Sequence, residues 1–116
     1  MFSHHSAKYN ASRVVEELIL LQDHYTKERC ADCVMKHLYT IKAYSLEAQH
    51  LDNSAEIKEL LKKAIDLSDR HMQLVLKSLH GSQVDIEKMV QEVRELRKEL
   101  VAKLYGTHEL EHQHVH

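Results

Sequence analysis

The segment Cys30-Ala-Asp-Cys33-Val-Met-Lys-His37 holds the chain's only two cysteines and a histidine at spacings of three and four residues. On a helix, side chains at those intervals share one face. The same stripe continues through Ile41, Tyr44, Ala48 and Leu51, so the spacing turns two thiols and an imidazole toward an expected core. Such groups face inward for a reason: a metal, a redox function or a specific hydrogen bond. Thiolate and imidazole together are a tetrahedral zinc donor set, and iron and copper also suit them. Two thiols three residues apart at a helix start are equally a dithiol redox pair, because the helix N-terminus favours the thiolate.

Four helices must position these residues. The first is expected after Ser12 and runs to about Lys27, with Val14, Val15, Leu18, Leu21 and Tyr25 among its apolar positions. The second runs from about Cys30 to Leu51. Asp52-Asn53-Ser54 interrupts it, and Asn53 with Glu56 has the spacing of a capping box for the third. The third carries Ile57, Leu60, Leu61, Ala64, Ser68, His71, Val75 and Leu79 on one stripe and stops at Gly81. Ser82 with Asp85 repeats the capping pattern before a fourth helix seamed by Met89, Val93, Leu96 and Leu100 and ended by Gly106. Short turns between consecutive helices predict an all-α, antiparallel, up-down-up-down four-helix bundle spanning residues 11–105. Polar, flexible ends are expected at 1–10 and 106–116, the second of them rich in histidine.

Counting from the turns estimates which residues lie level. Cys33 is 19 residues before Asp52 and Met72 is 19 after Asn53, so His71 is level with Cys33. His24 and Cys33 are about equally far from the turn near Glu28–Arg29. The count thus gathers His24, Cys30, Cys33, His37 and His71 from three helices as candidate ligands of one zinc site, with His24 favoured as the fourth ligand and His71 close by. On this reading the protein is a small metal-binding bundle with a structural or protein-interaction role.

The same motif supports a second reading, with Cys30 as the attacking thiol, Cys33 as the resolving one and His37 as a base one turn further on. Here Cys30-Ala-Asp-Cys33-Val-Met-Lys-His37 resembles the Cys-x-x-Cys-x-x-x-His motif of alkyl hydroperoxidase D-like and carboxymuconolactone decarboxylase-like proteins. Glu17-Leu-Ile-Leu-Leu and Ser54-Ala-Glu-Ile57 are similar to that family's flanking helices, so the resemblance spans roughly residues 16 to 65. It implies an all-helical, often oligomeric protein in which Cys30 and Cys33 are the redox pair and His37 belongs to a proton relay. The family's relay glutamate stands twelve residues before the first cysteine; that position is Leu18 here, and Glu17 is its neighbour. A third reading is a metal-free structural helical oligomer with incidental thiols.

Composition narrows the classes. The 116 residues contain no proline and two glycines, and 16 basic and 18 acidic side chains are mixed along the chain for a net charge of −2. That argues against a nucleic-acid-binding face and against a basic membrane-surface helix. No apolar run approaches the roughly 20 residues of a membrane span. The start lacks the pattern of a signal peptide, so the thiols are expected in a reducing, cytoplasmic setting. The first and third helices have wide apolar arcs, extended by Ile19 and Leu20 and by Ile65, Leu67, Met72, Leu74 and Leu76. These predict a contact with a second copy or a protein partner.

Overall fold

Three of the four helices begin where a side chain takes up an otherwise unpaired backbone N–H. In the computed structural model, which describes residues 7–27, 30–51 and 54–106, the elements are α1 (Ala7–Thr26), α2 (Ala31–Gln49), α3 (Ala55–Leu79) and α4 (Ile86–Tyr105). Ser54 Oγ accepts from Ile57 N at 3.2 Å to open α3, and Asp85 Oδ1 accepts from Lys88 N at 3.1 Å to open α4. Both differ from the expected caps. Asn53 lies outside the described residues, and Ser82 sits in the connection, three residues before Asp85 takes the capping position. The helix ends follow the glycines. Gly81 adopts φ +98° and Gly106 φ +81°, a left-handed region that glycine enters without a Cβ penalty. Around Gly81 the chain folds back so that Ser82 N donates to Lys77 O at 3.0 Å.

The helix stripes meet in one core. Leu18, Leu21, Leu38, Ile41, Leu61, Val93 and Leu100 are fully buried and come from all four helices. Contacts run α1–α2, α2–α3, α3–α4 and α4–α1, the perimeter of an up-down-up-down bundle. The cross-links fix the directions. Asn10, near the start of α1, donates to Glu47 near the end of α2. Ser12 pairs with Tyr105 at the end of α4 at 2.9 Å, and Lys103 reaches Glu56 at the start of α3 at 2.7 Å. Neighbours are therefore antiparallel, as expected.

The first helix starts earlier than the sequence suggests. Ala7 opens α1, and Asn10 is fully buried because the end of α2 covers it. Residues 1–6 and 107–116, which include most of the polar ends, lie outside the described residues. Not every apolar side chain is covered. Ile19 and Leu20 on α1, Tyr39 and Leu46 on α2, and Leu76 and Leu79 on α3 remain exposed, whereas Leu67 is buried. Among the described residues no helix is long and apolar enough to cross a membrane.

Candidate functional site

Cys30 is the N-cap of α2, with an extended backbone at φ −88° and ψ 114°. Its sulfur occupies the place a serine or threonine hydroxyl ordinarily takes. Cys33 N donates to Cys30 Sγ at 3.4 Å, and the Cys33 thiol donates to the same sulfur at 2.8 Å. Both cysteines are free thiols; Cys30 is exposed and Cys33 half-buried. These donors favour negative charge on Cys30. The hydrogen bond from the Cys33 thiol, then that from the Cys33 N–H, holds the Cys30 thiol below its ordinary pKa, against the opposing Asp32 carboxylate.

His37 lies one turn after Cys33 on the same face of α2. Its Nδ1 is 2.7 Å from Glu17 Oε1 on α1. A carboxylate only accepts, so Nδ1 carries a proton, which in the neutral ring makes Nε2 the acceptor. The second oxygen of Glu17 accepts from Arg13 Nη2 at 3.3 Å. Glu17 is 6 % exposed, a buried carboxylate with a partner on each oxygen. His24 packs against His37, their ring centroids 4.6 Å apart and the planes tilted by 57°. Its Nδ1 donates to the Leu20 carbonyl at 2.9 Å, which again leaves Nε2 as the acceptor.

His71 has different surroundings. It is fully buried. Tyr25 Oη donates to its Nδ1 at 2.8 Å, and its Nε2 donates to Glu92 Oε1 at 2.8 Å. Arg70 holds the same carboxylate through contacts of 3.1 and 3.3 Å. Burial pushes the imidazole below its ordinary pKa, outweighing the hydrogen bond to Glu92. Burial also pushes the Tyr25 hydroxyl up, with the Glu92 charge acting the same way. For Glu92 burial pulls upward, but the hydrogen bonds from His71 and Arg70 win and hold it below its usual value. Tyr25 also lines a cavity of about 410 Å³ that reaches Ala31 and Val34 on α2, and Val75, Ile86 and Met89 across the bundle.

The five expected ligands therefore fall into three settings: Cys30 with Cys33, His24 with His37, and His71 by itself. His71 lies on the core stripe as expected, yet both of its nitrogens are engaged. Among the described residues no group of three or more His, Cys, Asp or Glu side chains is arranged to hold a metal ion. Glu17 is the residue that counting from the cysteines misplaces. The twelve-residue count selects Leu18, which is fully buried in the core, whereas Glu17, one residue and about 100° around the helix, meets α2. Sequence reading overlooked Arg13 and Glu92. For Glu92 a signal existed: it stands eleven residues after Gly81 and His71 ten before, the same level across the α3–α4 turn.

No protein-family model matches the chain, and neither the curated proteins nor the solved structures include one detectably similar to it.

Proposed function

We propose that this protein is a dithiol oxidoreductase working through Cys30 and Cys33, with His37 and Glu17 as its proton relay. One observation carries the reading: a buried carboxylate holds His37 at 2.7 Å on the helix face that presents two thiols 2.8 Å apart. A disulfide needs about 2.05 Å, so closure asks for little movement. Cys30, Cys33 and His37 are those singled out by the hydroperoxidase resemblance, and Glu17 is the neighbour of its relay position, Leu18.

The oxidant class is an organic hydroperoxide. The Cys30 thiolate attacks the terminal oxygen, the O–O bond breaks, and Cys30 becomes a sulfenic acid. The departing alkoxide takes the proton that His37 Nε2 received when Cys30 ionised, and leaves as an alcohol. Cys33, giving its proton to His37, then attacks Cys30 Sγ. The S–S bond forms, the S–O bond breaks, and the hydroxide leaves as water with that proton. The sum is two thiols and one hydroperoxide giving a disulfide, an alcohol and water. Glu17 stabilises the imidazolium between these steps. The cavity reaching Ala31 and Val34, which follow the two cysteines in the chain, suits the organic part of such a substrate.

The test is to add tert-butyl hydroperoxide to reduced protein at neutral pH and count free thiols. Loss of both per chain, blocked by Cys30→Ser and stopped at a dimedone-trappable sulfenic acid by Cys33→Ser, is expected. Thiols that stay reduced sink the proposal.

A second reading keeps the zinc site at His24, Cys30, Cys33 and His37. It is favoured by the Nδ1 atoms of both histidines being tied to acceptors with Nε2 left over, as is usual for ligating imidazoles. On that reading one equivalent of zinc protects both thiols from alkylation and raises the melting temperature, and a chelator reverses both. The exposed Ile19 and Leu20 are where this proposal puts a contact with a second copy or a protein partner. Ile19→Lys is expected to lower the mass measured by light scattering if that contact is between copies.

A further inference from the structure

We propose that Arg13 is a positioning residue for the relay, a guanidinium clamp that aims Glu17 at His37; the inference rests on the dithiol reading above. A lone buried glutamate can rotate about its terminal torsion, because that torsion has only broad preferences. For His37 to return to the same protonation geometry after each turnover, one carboxylate oxygen must stay on Nδ1. The other oxygen, Oε2, is held by Arg13 Nη2 at 3.3 Å, one helical turn earlier on α1. Arg13 is itself fixed on two further sides. Nη1 donates to Glu16 Oε1 at 2.6 Å, and the guanidinium lies over the Tyr44 ring, 5.4 Å from its centroid. Tyr44 therefore anchors the clamp from α2, the helix that carries His37 and the thiols. A hydrogen bond to Tyr44 is also the leading reason the Arg13 pKa is raised.

The fork matters more than the charge. Two nitrogens engage two carboxylates while the guanidinium carbon lies over a ring, which an ammonium cannot reproduce. Arg13 touches neither thiol. Its effect on chemistry passes through Glu17.

The experiment measures the rate at which tert-butyl hydroperoxide converts the reduced pair to the disulfide at pH 7, for the wild type, Arg13→Ala, Arg13→Lys and Glu17→Gln, each shown folded by circular dichroism. Glu17→Gln is expected to slow the step roughly 100-fold, within the range of a lost acid–base group. Arg13→Ala is expected to slow it about tenfold and to recover several-fold in millimolar guanidinium, which can enter because 28 % of the arginine side chain is exposed. Arg13→Lys should fall between the wild type and Arg13→Ala. A wild-type rate in Arg13→Ala alongside a slow Glu17→Gln overturns the clamp and leaves the relay standing. So does a slow Arg13→Ala with a lowered melting temperature and no response to guanidinium, which marks a merely structural role. A wild-type rate in Glu17→Gln, or an unreactive wild type, overturns the relay and the clamp with it.

Discussion

Two histidines in this bundle are each hydrogen-bonded to a glutamate, His37 to Glu17 at 2.7 Å and His71 to Glu92 at 2.8 Å. In both pairs the carboxylate fixes which nitrogen carries the proton. The difference lies at the other nitrogen. His37 is half-buried, one helical turn after Cys33 on α2, whereas His71 Nδ1 accepts from Tyr25 in a fully closed core. The same residue pair is thus available for proton transfer in one place and acts as a packing bolt in the other. Burial and the third partner, rather than the pair itself, separate the two roles.

The sharpest way to break this comparison is to remove each ring in turn. His37→Ala is expected to slow hydroperoxide oxidation of the dithiol roughly 100-fold while costing less than about 1 kcal/mol of stability. His71→Ala should do the reverse. It leaves a cavity and removes the acceptor of the Tyr25 hydroxyl, for a loss of about 3 kcal/mol in urea unfolding. If the two variants lose stability equally, the contrast fails. Tyr25→Phe removes only the third partner and is expected to cost about 1–2 kcal/mol, with oxidation kinetics unchanged.

Acid should discriminate as well. The folded-state pKa of His71 lies below its ordinary 6.5, so between those values the unfolded chain binds more protons. The stability gained from burying this ring as the neutral form is complete above that pH and is lost as pH falls through it. Glu92 adds a later loss of the same sign, since its depressed pKa gives stability that persists above about 4.5 and fades below. Melting temperatures measured from pH 7.5 down to 3 should therefore decline, and His71→Leu should flatten the first part of that decline. The smallest effect is expected at Cys30. Cys30→Ser keeps an N-cap acceptor and should shift stability by no more than about 0.5 kcal/mol, yet abolish oxidation.

Much of the fold was legible because helical periodicity and glycine stops are local signals. The stripe of α3 as far as Val75, the stripe of α4 and the turns at Gly81 and Gly106 lie where the spacing put them, whereas Leu79 is exposed. Caps were less so. Asn53 and Ser82 had suitable chemistry, but the backbone turns into the helix at Ser54 and Asp85, and a change of one or three residues in entry cannot be read from residue type alone. The thiol pair was legible from spacing. The role of His71 was not, because it depends on Tyr25 from α1 and Glu92 from α4 meeting in the interior. Nor could a count along the chain distinguish Glu17 from Leu18. Only the packing angle of α1 against α2 decides which of them faces the seam.

Arg13, Glu17, His24, Cys30, Cys33, His37 and Tyr44 all lie within one helical hairpin, the α1–α2 pair. The contacts that assemble the dithiol site are therefore short in sequence, and such contacts form early and fast when a chain folds. The α3–α4 hairpin covers the core and lends Val75, Ile86 and Met89 to the neighbouring cavity, while the hydrogen bonds described among the thiols, His37, Glu17 and Arg13 stay within α1 and α2. The proposed relay is in this sense a portable cassette of fewer than 35 residues between Arg13 and Tyr44. Grafted onto another two-helix support with a matching apolar face, it should carry its chemistry along.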